Sequence, residues 1–299
     1  MLNFLDLPPS ATDPERAWAW VLPVPYENTV SYEGGTRRGP AAIIEASCQV
    51  ELYDPDLDGE PALEYGVHTL PPLSPNYASP EAMVADIARA VEQCARPGRL
   101  LVVLGGEHTI SVGVARGLRR VYEGPLAVVQ VDAHSDLRDE YEGSRYSHAC
   151  TARRLLDEGV TAIYQVGVRS LSREEADFIR AHPDRLHVWF ADEIHSTPQD
   201  LWLADLEARV AGQRVFLTLD VDGLDPSVIP ATGTPEPGGL TWHQALALVR
   251  TVARVAEVVA VDCVELAPRF GLHMAEFAAA RLLYATMNAI WQHRFNSPL

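Results

Sequence analysis

Positive charge is scarce in this sequence: 24 Lys and Arg stand against 41 Asp and Glu, a formal net charge of −17. Phosphate backbones and anionic headgroups repel such a surface, which argues against nucleic acid or an anionic membrane as a partner. No apolar stretch approaches the ~18–20 residues that a membrane helix needs. Cysteine is sparse as well. The four present (Cys48, Cys94, Cys150, Cys263) form no CxxC pair, which argues against a thiolate zinc site or a redox dithiol. They read as reduced thiols of a cytoplasmic protein. Residues 1–16 lack a basic start followed by an apolar run, so no secretory leader is expected. The glycine pair at 105–106 is not followed by the Lys-Ser/Thr of a phosphate loop.

What is present is an alternation of short apolar runs and longer amphipathic segments. Strands are expected at 17–24, 100–104, 126–131, 163–168, 186–190, 215–219 and 258–264. Helices intervene. One opens at Ser79-Pro80-Glu81, and capping boxes at Ser172/Glu175 and Thr241/Gln244 open two more. Others run to Tyr122, over 149–158, from Thr197-Pro198 to near Gly212, and from about Met274 to Trp291. Strands separated by helices imply right-handed crossovers and a mainly parallel, doubly wound α/β sheet. With no linker, repeat or low-complexity tract, residues 1–299 are expected to form one domain, 1–16 being an N-terminal extension. Two segments break the rhythm: 51–77, expected to be a surface excursion, and 220–240, a rigid Pro- and Gly-rich loop of the kind that is usually functional.

Sites in open parallel sheets form beyond the carboxyl ends of the strands. Four of the expected strands end in acids and histidines: Gly105-Gly106-Glu107-His108, Asp132-Ala133-His134-Ser135-Asp136, Asp220-Val221-Asp222, and Glu265. If the backbone stays extended, Asp132, His134 and Asp136 share one side, as do Asp220 and Asp222. Taken alone, each such group reads as a solvated turn or a helix cap, and Asp225 before Pro226 is read that way. Together, four converging carboxylates would repel unless cations sat among them. Carboxylate and imidazole donors suit Mn²⁺, with Fe²⁺, Co²⁺ and Zn²⁺ as alternatives. Two such ions roughly 3.5–4 Å apart can share a water and lower its pKa toward neutrality. His68, His182, His187, His195, His243, His273 and His293 have no such partners and read as structural or exposed.

These motifs, with Ser147-His148 and the Thr-Gly-Thr-Pro-Glu-Pro-Gly-Gly core of 220–240, resemble the ureohydrolases, the arginase and agmatinase family. Pro25-Tyr26 and the run from Gly35 to Pro40 fit as well, and the stretch from Asp136 to Cys150 resembles the agmatinase branch. The resemblance implies a three-layer α/β/α fold with a roughly eight-stranded sheet, two Mn²⁺ per subunit and a trimer or hexamer. It places one ion on His108, Asp132, Asp136 and Asp220, and the other on Asp132, His134, Asp220 and Asp222. It also implies that His148 is the proton shuttle and that Glu265 holds the guanidinium. Glu107 and Ala149 depart from the family pattern, which more often has Asp and Gly there.

The loop after Asp136 offers Asp139, Glu140 and Glu142 but only Arg138 and Arg145 as bases. Acids repel a carboxylate and attract an ammonium tail. Agmatine, cleaved to putrescine and urea, is the expected substrate, with N1-aminopropylagmatine equally compatible with these charges. Arginase and guanidinobutyrase activity are the enzymatic alternatives. A non-catalytic polyamine-binding protein is the other reading.

Overall fold

The computed structural model describes residues 2–295. Eight strands form one sheet in the order β2-β1-β3-β8-β7-β4-β5-β6, every pair parallel. They are β1 (Ala19–Val24), β2 (Val67–Thr69), β3 (Leu100–Gly105), β4 (Ala127–Val131), β5 (Ile163–Val168), β6 (Leu186–Phe190), β7 (Arg214–Asp220) and β8 (Glu257–Val264). Parallel neighbours need a crossover, and the intervening helices supply it. They cover both faces of the sheet. Leu100, Val102 and Leu104 enter one apolar cluster while Leu101 and Val103 enter the other. That alternation is why the central strands read as continuous apolar runs.

Seven strands coincide with the expected segments. The eighth, β2, lies inside 51–77, which corrects the reading of that stretch as a surface excursion. Three residues are too few to show a periodicity, and β2 is placed by contacts with residues distant in the chain: it pairs with β1 at the sheet edge, and His68 Nδ1 lies 2.9 Å from Thr12 O. The rest of the stretch is tied down as well: Arg281 Nη1 donates to Glu51 O and Tyr284 Oη to Leu52 O, at 3.1 and 2.5 Å. Both capping boxes close, and Ser79 caps the Pro80–Cys94 helix. Short helices at Gly39–Ser47 and Ala191–Ser196 were not legible in the pattern. Within residues 1–16, Phe4, Leu5 and Leu7 are buried, and the Phe4 and Leu5 amides donate to Thr69 Oγ1 and Ser47 Oγ. No helix of the described residues is long and apolar enough to cross a membrane.

The strand order decides where a site can form. The chain leaves β3 and enters β4 three places away, and only later do β7 and β8 fill the gap. The loops after β3 and β4 therefore diverge, leaving a crevice above the four central strands. Those four strands carry the acids and histidines.

Candidate active site

Each sequence-expected ligand reaches this crevice. His108 follows β3, Asp132, His134 and Asp136 follow β4, Asp220 ends β7 and Asp222 lies just after it; Glu265 follows β8. The route is not the extended one expected. Strand β4 stops at Val131, Asp136 sits in the left-handed region at φ 53°, and Asp222 lies in a 3-10 turn, Val221–Gly223. Convergence comes from turns whose amides bond to the carboxylates. Asp132 Oδ1 accepts from His134 N at 2.6 Å, Asp222 Oδ1 from Ala133 N at 3.0 Å and Asp220 Oδ1 from Asp222 N at 2.9 Å. Close approach requires glycine here. A Cβ at Gly223 would lie 2.7 Å from Asp132 N, and one at Gly106 would lie 1.8 Å from Tyr26 O.

His108 is fully buried, and its Nδ1 has no hydrogen-bond partner among the described residues. Yet that nitrogen faces Asp132 Oδ2 at 3.1 Å, Asp136 Oδ2 at 3.1 Å and Asp220 Oδ2 at 3.3 Å. Donors about 2.1 Å from one divalent ion and at right angles to each other lie about 3.0 Å apart, so this spacing is that of a coordination shell. His108 Nε2 meets Thr218 Oγ1 at 2.9 Å, an outer contact that leaves the Nδ1 lone pair free for an ion. Beside it, His134 Nδ1 lies 3.0 Å from Asp222 Oδ2 and 3.6 Å from Asp132 Oδ1. Two donor groups result, His108-Asp132-Asp136 and Asp132-His134-Asp222, sharing Asp132. Asp220 adds its free Oδ2 to the first. The residues present fit a pair of divalent ions.

Electrostatics point the same way. Burial, then Asp222 and Asp132, pushes the Asp220 carboxyl well above the usual range, and burial with Asp132 lifts Asp136 to about 6. Burial also pushes Asp132 upward, but His108 and His134 outweigh it and hold that carboxyl below its ordinary value. Burial pulls both imidazoles down, and the surrounding carboxylates reverse this, raising His108 strongly and His134 to about 12. The cluster cannot hold its charges without protons or cations among them.

A cleft of about 250 Å³ opens over this cluster, lined among others by Ser31, Arg138, Tyr141, His148, Glu175 and Glu265. His148 stands in the turn His148–Cys150, with Nε2 3.0 Å from Ser31 Oγ and Nδ1 3.5 Å from Glu265 Oε1. Burial lowers its pKa, but Glu265, with Asp136 and Glu107 behind it, raises it to about 9. Glu265, at φ 63°, accepts from His108 N at 2.7 Å through Oε1.

A match to the Arginase family model spans residues 17–288. The chain belongs to the arginase family. It is 40% identical over 271 residues to an N(1)-aminopropylagmatine ureohydrolase of Synechocystis sp., covering 89% of this chain and 87% of that protein. A Bacillus subtilis agmatinase is 33% identical over 260 residues, 85% of either chain. Among solved structures, the agmatine ureohydrolase of Thermoplasma volcanium superposes with a TM-score of 0.87 at 28% identity, covering 100% of this chain and 97% of that one.

Several residues of this arginase-family site escaped sequence reasoning. Glu107, noted only as a departure, is buried and grips the loop after β1: Oε2 accepts from Asn28 N and Thr29 N at 2.6 Å each, and Oε1 from Thr29 Oγ1 at 2.8 Å. Thr29 Oγ1 in turn accepts from His148 N at 3.0 Å, so Glu107 helps to place His148. Gln130 and Gln165 pair across β4 and β5, and Gln130 Nε2 donates to Asp132 Oδ2 at 2.7 Å. A glutamine inside a fully buried strand was the available signal. Glu175 closes its capping box and also accepts from Ser135 Oγ and Leu137 N at 2.8 and 3.0 Å, tying down the loop that carries Asp136.

The acidic loop is not as expected. Asp139 is bound by Arg145 at 3.0 Å and Arg154 at 2.6 Å, which hold its carboxyl below the usual range. Glu140 and Glu142 face a neighbouring cavity instead of the cleft over the cluster. Asp225 behaves as a turn residue, accepting from Ser227, Gly238 and Gly239 amides.

Arg169 organises the 220–240 loop. Its guanidinium donates to the carbonyls of Asp222 at 2.6 Å, Glu236 at 2.8 Å, Gly167 at 2.9 Å and Pro237 at 3.1 Å. An ammonium has three donors and cannot span this fork. Arg169→Lys is expected to cost about 1–3 kcal/mol, chiefly through the part-buried carbonyls of Asp222, Glu236 and Gly167 left unpaired. Thermal unfolding checks this: the midpoint should fall by several degrees, and an unchanged midpoint would deny the clamp.

Proposed function

We propose that this chain is a binuclear manganese-dependent ureohydrolase that cleaves a linear guanidine carrying a distal cation to urea and an amine. Agmatine, giving putrescine, and N1-aminopropylagmatine are the substrates that fit the acidic surroundings. The observation that carries the reading is the partnerless Nδ1 of buried His108 inside a ring of three carboxylate oxygens, next to the Asp132-His134-Asp222 group. The proposal assigns one ion to His108, Asp132, Asp136 and Asp220, and the other to Asp132, His134, Asp220 and Asp222. It takes the whole chain as one catalytic unit, because one sheet with two covered faces carries every ligand.

Two divalent ions, when bound, supply a water of lowered pKa and charge to balance the carboxylates. The protein's own groups do the rest. The free Oε2 of Glu265 accepts a guanidinium N–H and orients the planar carbon toward the cluster, a charge-assisted contact. His148, protonated through its pairing with Glu265, gives a proton to the departing amine nitrogen. Ser31 and the Glu107–Thr29 pair keep the imidazole aimed into the cleft. The turn after β7, braced by Arg169, keeps Asp222 in place.

Arg138 favours a second reading. It lines the cleft, and a carboxylate-ended guanidine such as 4-guanidinobutyrate could pair with it. Its charge is already engaged, with Nε 3.9 Å from Glu175 Oε2 and the guanidinium 5.0 Å over the Tyr141 ring. Urea release from agmatine, N1-aminopropylagmatine, arginine and 4-guanidinobutyrate in Mn²⁺ tests the reading. The two cationic substrates should exceed the two carboxylates by about 100-fold in kcat/KM, roughly the cost of an unpaired charge in such a site. A preference for 4-guanidinobutyrate would move the assignment to the second reading; no urea from any of the four would remove the proposal.

A further inference from the structure

Next to the cleft lies a second cavity of about 480 Å³, lined by Asn28, Thr29, Val30, Pro80, Glu81 and residues of the 140–147 loop. Tyr141 lines both cavities, and the two share the same walls: 28–30 face one and Ser31 the other, Ser147 faces one and His148 the other. Three carboxylates, Glu81, Glu140 and Glu142, rim the second cavity. Among the described residues the only cation lining it, Arg145, is taken by Asp139 at 3.0 Å, and none of the three glutamates is ion-paired. Glu142 is held in place by a tight turn: Tyr141 and Ser144 exchange backbone hydrogen bonds of 3.0 Å, with Glu142 at φ 47° and Gly143 at φ 80°.

A rim of acids by itself is a solvated face. The independent observation is Ser147. It lines this cavity, is 2% exposed, and its Oγ has no hydrogen-bond partner among the described residues. A buried hydroxyl without a partner costs about 1–3 kcal/mol unless something supplies one, and an ammonium donor would.

We propose that this second cavity is a subsite for the far ammonium of an extended polyamine-like guanidine, beyond the first amine nitrogen. The inference rests on the ureohydrolase reading and deepens it, because the subsite separates the two substrates that reading leaves together. Extending agmatine by an aminopropyl group adds four bonds, about 5 Å of reach, and one more positive charge. That second charge leaves the cleft past Tyr141 and meets Glu140 and Glu142, with Ser147 Oγ accepting an N–H. Agmatine is too short to reach them and gains nothing from the subsite.

The test is the ratio of kcat/KM for N1-aminopropylagmatine over agmatine in the Mn²⁺-loaded protein and in its Glu140→Gln/Glu142→Gln variant. Both positions are exposed, so the variant should fold. The ratio is expected to favour the longer substrate and to fall about tenfold in the variant, with a smaller fall in Ser147→Ala. Spermidine and putrescine binding, measured by calorimetry, forms a second arm that needs no turnover. Spermidine affinity should weaken by a similar factor in the variant, while putrescine affinity should not. An unchanged ratio together with unchanged spermidine affinity overturns the subsite. Absence of urea from either guanidine would instead sink the ureohydrolase reading, and the spermidine arm would then decide the subsite alone: weakened binding in the variant supports it, and equal or undetectable binding overturns it.

Discussion

Asp220→Asn is expected to lower urea release by roughly 10³-fold while making the metal-free protein more stable. Both effects come from the same side chain. Asp220 Oδ2 lies 3.3 Å from His108 Nδ1, in the ring proposed to hold an ion, and a neutral amide oxygen would be a poor replacement for a carboxylate ligand there. Without ions that carboxylate is a burden, since burial, Asp222 and Asp132 push it well above its ordinary value. A carboxyl with a folded-state pKa above its unfolded one loses stability as pH rises from the unfolded value, near 3.9, toward the folded one. Asparagine never ionises, so the variant avoids that loss, and it still offers Oδ1 to the Asp222 amide. Elemental analysis should find fewer than two ions per chain, and thermal unfolding in chelator should show a higher midpoint than for the native sequence. Two tightly held ions with ordinary turnover, or a metal-free variant less stable than its parent, would refute the role.

The second large effect belongs to His148. His148→Phe is expected to lower kcat by about 10²–10⁴-fold, the usual worth of a positioned general acid, with metal content unchanged. Its pairing with Glu265 holds the imidazole at about 9, so the donor is protonated at neutral pH and loses its proton on the alkaline side. Activity of the native sequence should therefore decline as pH rises through 9 or somewhat below, because bound cations would offset the carboxylates that raise this pKa. In the variant that alkaline decline should vanish. A variant that kept the native kcat and the native pH profile would show that the leaving amine takes its proton elsewhere.

How much of this was legible depended on how local each cause is. Seven strands and the capped helices follow from short-range pattern: apolar runs covered on both faces, and Ser172/Glu175 or Thr241/Gln244 reaching three residues along the chain. The donor set was legible for a related reason. His108, Asp132, Asp220 and Glu265 each stand within a few residues of a strand's carboxyl end, and parallel strands bring those ends to one rim. Strand β2 was not, because three edge residues carry no period.

Other features depend on partners distant in the chain. Glu107 looked like a mild substitution, yet it binds the 28–29 backbone 78 residues and more away. Asp139 looked available to a cationic tail, but Arg154 on the following helix neutralises it. Glu140 and Glu142, one and three residues on, have no ion-pair partner among the described residues and line a different cavity. Spacing alone suggested an extended run from Asp132 to Asp136, whereas the loop turns through a left-handed residue held down by Glu175.

By itself the sequence determined the family, the parallel sheet and the list of carboxylates and imidazoles at its rim, because periodicity, caps and strand-end chemistry are written within a few residues. Only the tertiary structure decided which oxygen faces His108, how His148 is held between Ser31 and Glu265, and which acids of the loop after Asp136 are ion-paired. Those depend on side chains that meet across the crevice from strands far apart in the chain. A hydrogen bond about 3 Å long is fixed by that meeting and not by distance along the sequence.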